Sequence, residues 1–78
     1  MICIATFFSH FGAIRFKRQC DARGISATLM PVPRSLSSSC GTCVRFEGAP
    51  PDAPSNEVEQ IVRETSDAYV TLYRAEAF

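Results

Sequence analysis

The sequence predicts an α+β domain of the ferredoxin-like βαββαβ plan: a four-stranded antiparallel sheet with two helices on one face. Three observations predict it. Short runs rich in β-branched and aromatic residues alternate with stretches whose apolar residues recur at helical spacing. Each helical stretch opens on a serine, Ser9 or Ser55, able to cap it. The length of 78 residues leaves room for one domain, taken as 1–78.

Ile2 to Phe8 reads as a central strand, apolar apart from Thr6. Ser9 is the expected N-cap of a helix over His10–Arg23, with Ala13, Phe16 and Cys20 on its inward stripe and Gly24 ending it in the left-handed conformation. Ile25–Met30 is a shorter, half-polar second strand, stopped by Pro31-Val32-Pro33 because proline cannot donate to a ladder. A polar stretch from Arg34 to Gly41 leads into a third strand, Thr42–Glu47. Gly48–Pro54 is a proline-rich linker. From Ser55 a second helix is expected, with Val58, Ile61, Val62 and Thr65 inward and Glu57 and Glu59 in its first turn, where the dipole favours negative charge. Glu57, Glu59 and Glu64 read as its solvated face. Tyr69–Arg74 is the last strand, followed by a short tail.

Composition narrows the function. Hydrophobic residues at 46% and charged ones at 21% describe a globular chain rather than a disordered one. Eight basic and eight acidic residues cancel, which argues against nucleic-acid binding. Ordering costs about 1.5 kcal/mol per residue, so a chain this short must pack efficiently, dimerise or gain a staple. It has little room for a large substrate cleft. Met1–Phe8 is too short to span a membrane, and no basic residue precedes it as in an export signal. The expectation is a cytoplasmic chain with reduced thiols; two disulfides in a secreted domain are the other use of four cysteines.

The stretch from Pro33 to Cys43 carries the chemistry. It is longer than a connection between two neighbouring strands requires, and such loops are often working loops. Backbone N–H groups and the hydroxyls of Ser37, Ser38 and Ser39 converging near Cys40 would make a nest for an anion or a thiolate, with Arg34 adding positive charge. The plainer reading is a solvated connector that contains a cysteine. Lys17, beside the apolar stripe of the first helix, either reaches the loop and lowers a thiol's pKa or snorkels. His10 sits at the end of the first strand as a ligand, a base or a surface residue. Cys3 and Cys20 read as core.

Cys40-Gly41-Thr42-Cys43 spaces two thiols for three uses: a redox dithiol, two ligands to zinc or copper, or a nucleophile at Cys40 with Cys43 packed inward. The motif enters a strand rather than starting a helix, unlike the thioredoxin type. Zinc would need two further ligands, which a second copy of the chain could supply.

The segments Ile4-Ala5-Thr6-Phe7, Ser9-His10, Pro31 through Gly41, and Val44-Arg45-Phe46 resemble the selenium/sulfur carrier protein-like family, over most of the chain as far as Tyr73-Arg74. The strongest element is the proline–arginine–serine run closing on Ser39-Cys40-Gly41. The resemblance implies a thiol carrier rather than a true enzyme. It assigns the motif cysteine to Cys40, the following glycine to Gly41 and the helix lysine to Lys17, with Arg34 and the serines in the surrounding loop. Cys40 would hold sulfur or selenium as a persulfide or selenosulfide, without another cofactor, and exchange it with a donor or acceptor protein. The sequence departs from the family pattern at Cys43, where a small or aliphatic residue is expected. A second thiol there would resolve a persulfide or make this member a redox or metal variant. A partner-binding domain with incidental thiols is the remaining reading, and dimerisation would suit each by covering exposed sheet edges.

Overall fold

A computed structural model describes residues 1–76. The order is β1 (Ile2–Phe7), α1 (His10–Ala22), β2 (Ala27–Pro31), β3 (Thr42–Glu47), β4 (Val58–Glu64) and β5 (Tyr69–Arg74). The strands form one sheet in the order β2-β3-β1-β4-β5, with every neighbouring pair antiparallel. The element after the proline-rich linker is a strand. The βαββαβ expectation is therefore corrected: the described residues form five strands and one helix, and the fold is not ferredoxin-like.

A β-bulge explains why the segment from Ser55 imitates a helix. Along β1, Ala5 faces Ile61 and Thr6 faces Gln60, but the next residue, Phe7, faces Val58. Glu59 is the extra residue, and its insertion turns Val58 onto the same side of the sheet as Ile61. Without the bulge, residues three apart in a strand point to opposite faces. Val62, on the other face, is also buried, so Val58, Ile61 and Val62 reproduce the spacing of a helical stripe. Ser55 caps no helix: its carbonyl accepts from Val58 N–H at 3.1 Å and its hydroxyl from Glu57 N–H at 3.3 Å, making a turn into β4.

The first helix forms as its caps require. Ser9 Oγ accepts from Gly12 N–H at 3.3 Å, and Gly24 adopts φ +72° past the last turn. α1 packs against β1, β2 and β3. Phe16 lies between Phe7 and Phe46, with ring centroids 5.3 and 5.2 Å away in tilted pairs, a favoured geometry for aromatic rings. This core also takes in Cys3, Ala5, Ala13, Val44 and Ile61.

Among the described residues, no helix covers the opposite face. There Ile4, Cys43 and Val62 are buried, and Met30, Val32, Leu36 and Tyr69 pack over them. Two of these covering residues, Val32 and Leu36, come from the loop between β2 and β3. The central strand is thus enclosed on both sides, which accounts for its apolar run, interrupted by Thr6 alone. No helix among the described residues is long and apolar enough to cross a membrane.

Phe7 is fully buried between helix and sheet. Phe7→Ala is expected to lower unfolding free energy by about 3–5 kcal/mol in urea titration. Val70→Ala, on the exposed edge strand, is expected to stay within about 0.5 kcal/mol of the parent.

Candidate functional site

The chain between β2 and β3 is closed at its base by Val32 N–H donating to the carbonyl of Gly41 at 3.1 Å. Leu36 N–H donates to the carbonyl of Pro33 at 3.0 Å, a β-turn with Arg34 and Ser35 at its corners. Arg34 is accordingly exposed at the loop tip, while Leu36 dips onto the second core. The remainder, Ser37 to Gly41, forms neither helix nor strand. Ser37 and Gly41 are exposed, and a Cβ added at Gly41 would meet nothing within 4 Å. Cys40 is half-buried at the rim.

Hydrogen-bond donors do converge in this loop, and what they hold is a carboxylate of the same chain. Ser38 Oγ donates to Glu59 Oε1 at 2.9 Å, Ser39 N–H to the same oxygen at 3.1 Å, and Ser39 Oγ to Oε2 at 2.8 Å. Ser38 Oγ in turn accepts from Cys40 N–H at 3.2 Å. Burial works to raise the Glu59 pKa, but the bonds from Ser39, Ser38 and Thr6 together outweigh it and hold it below its ordinary 4.5. Of the groups expected around the Cys40 sulfur, Ser38 and Ser39 therefore bond Glu59.

The sequence reading passed over Glu59 because it took the segment for a helix and the side chain for a solvated one. Two signals pointed to a strand: the β-branched Val58, Ile61 and Val62, and the Thr65-Ser66-Asp67 stretch before β5. Thr65 makes that turn, its Oγ1 accepting from Ala68 N–H at 3.0 Å and its N–H donating to the Ala68 carbonyl at 2.9 Å.

The four cysteines are unlike. Cys3, Cys20 and Cys43 are buried, leaving half-buried Cys40 as the most accessible of the four. Burial raises the pKa of Cys3 and Cys20, and pushes that of Cys43 up to about 11. The Cys43 thiol donates to the Pro31 carbonyl at 3.6 Å, beneath the loop. Lys17 places its ammonium 2.7 Å from both carboxylate oxygens of Asp21, one turn along α1. His10 at the start of α1 has Nδ1 3.1 Å from Thr42 Oγ1, so it flanks the strand that leaves the loop. Among the described residues, no group of three or more His, Cys, Asp or Glu side chains is arranged to hold a metal ion.

Two outcomes are expected. At pH 8 the folded protein takes one alkyl group, at Cys40, by mass spectrometry, and four in denaturant. The reason is that only on the order of a thousandth of Cys43 is ionised at that pH, and its sulfur is covered. The second concerns pH. A carboxylate with a lowered folded pKa contributes stability that is complete above its unfolded value and is lost as pH falls through the folded one. Urea midpoints should thus fall from pH 6 to pH 3 in the parent, and fall less in Glu59→Gln.

The comparisons with known proteins agree with the sequence resemblance. The family model described as "Putative Se/S carrier protein-like" matches residues 2–74, from the start of β1 to the end of β5. No curated protein and no solved structure matches the chain. On a match that spans the whole sheet and the Cys40 loop together, the chain belongs to the Se/S carrier protein-like family.

Proposed function

We propose that the domain carries sulfur or selenium on Cys40 and passes it between partner proteins. The observation that carries this reading is the partition of the thiols: Cys40 is accessible on the loop, and the other three are buried. Burial keeps those three protonated and out of reach, so exchange is directed to one sulfur. Gly41, next to Cys40, adds no side chain of its own and lies in open space.

In the loading step the Cys40 thiolate attacks the outer sulfur of a donor persulfide, R–S–SH. The donor's S–S bond breaks, a new S–S bond forms on Cys40, and the electron pair leaves with R–S⁻, which takes up a proton from water. No net oxidation occurs, and unloading is the same exchange with an acceptor thiolate attacking. With a selenosulfide donor, R–S–SeH, the outer selenium is transferred in the same way. Such exchange needs no resident metal and no general acid, which suits a carrier better than an enzyme.

The metal and dithiol readings of Cys40 and Cys43 both require the Cys43 sulfur. It sits beneath Leu36 and Val32 in the second core with its pKa at about 11, so either use would require the loop to lift.

The test is intact-mass analysis of the reduced protein after incubation with glutathione persulfide. The expected result is a gain of one sulfur, retained in Cys43→Ser and lost in Cys40→Ser. Absence of the adduct in the parent would sink the carrier reading. Its loss in Cys43→Ser would favour the dithiol.

A further inference from the structure

We infer that Glu59 is a positioning residue for Cys40, fixing the backbone at the thiol through a two-step hydrogen-bond relay. Cys40 N–H donates to Ser38 Oγ at 3.2 Å, and the Ser38 hydroxyl donates to Glu59 Oε1 at 2.9 Å. Ser39 adds its amide to the same oxygen at 3.1 Å and its hydroxyl to Oε2 at 2.8 Å. One carboxylate therefore ties down residues 38, 39 and, through Ser38, 40, and the Phe7 carbonyl, 3.4 Å from Ser38 Oγ, is the longer second acceptor.

The anchor is firm where the loop is not. Ser37 to Gly41 has no ladder or helix of its own. Glu59 sits at the β4 bulge, between Val58 and Gln60, both buried and paired with the central strand, and its carbonyl accepts from Ala75 N–H at 2.9 Å. A charged acceptor strengthens each of these bonds, and a chain of bonds polarises its members. The relay thus transfers the rigidity of the sheet to an otherwise irregular segment.

The consequence for function rests on the carrier reading. Attack on a persulfide brings three sulfur atoms into line, so a thiol displaced by about 1 Å can lose on the order of 10²-fold in rate. In the step written above, Glu59 itself gains and loses nothing. It touches neither the donor nor the sulfur, and it acts by holding Cys40 where one approach is productive.

The test compares Glu59→Ala, Glu59→Gln, Ser38→Ala and the double variant S38A/E59A. Glutamine can keep the relay, because its carbonyl oxygen accepts from Ser38 and from Ser39 N–H while its amide donates to the Ser39 hydroxyl. Loading of Cys40 by glutathione persulfide is expected to slow by about tenfold or more in Glu59→Ala and Ser38→Ala. The double variant should lose no more than Glu59→Ala alone, since Ser38 reaches the carboxylate only through the bond that variant already breaks. Glu59→Gln should stay within about threefold of the parent, and so should alkylation by the small reagent iodoacetamide in every variant. Hydrogen exchange at the Cys40 amide should quicken in Glu59→Ala and Ser38→Ala and stay slow in Glu59→Gln. Parent-like loading or parent-like Cys40 exchange in Glu59→Ala would overturn the inference. So would additive losses, or a Glu59→Gln variant as slow as Glu59→Ala. If the parent takes up no sulfur while the Cys40 amide shows the expected pattern, the carrier reading falls and the positioning of Cys40 by Glu59 stands.

Discussion

The single extra residue in β4 is the constraint from which the rest of the structure follows. By letting Val58 and Ile61 share the helix-facing core, the bulge closes the packing around Phe7. By the same displacement it places Glu59 where its carboxylate meets the loop between β2 and β3. Bulges are common where a strand must re-aim a side chain beside a working site. Here one irregularity serves both the hydrophobic core and the placement of the thiol.

The loop itself has two tasks that are usually separate. Val32 and Leu36 cover Ile4, Cys43 and Val62 on the face that no helix reaches. A few residues later the same segment brings Cys40 to the rim. Burial and exposure of the two neighbouring cysteines are therefore coupled: the contact that seals Cys43 also shapes the path that presents Cys40. A loop without a hydrogen-bonded ladder carries a high ordering cost per residue. Apolar cover at one end and a charged acceptor at the other offset that cost.

The electrostatics of the site differ from a plain anion nest. Donors that would stabilise an external anion are already engaged by Glu59, and the protein's own carboxylate takes the place of a ligand. Of the basic side chains, Lys17 pairs with Asp21 and Arg34 is exposed at the loop tip. Selectivity among the thiols then comes from burial. Three cysteines are shielded and harder to ionise, and the fourth is left available.

Local signals were enough for much of the molecule. β1 was legible from its β-branched and aromatic apolar run, α1 from Ser9 and Gly24, and β3 and β5 from their β-branched and aromatic content, because each of these depends on contacts close in sequence. The serine run closing on Cys40 was legible as a loop for the same reason, and it carried the family resemblance. The segment after Ser55 was not, because its spacing of buried residues arises from a bulge against a strand some fifty residues earlier. The strand order, the burial of Cys43 and the meeting of Glu59 with Ser38 and Ser39 likewise join distant parts of the chain. Sequence alone determined which residues form the serine loop that carries Cys40. Only the tertiary structure decided which thiol the loop exposes and which carboxylate holds it, since both depend on long-range pairing that local pattern does not encode.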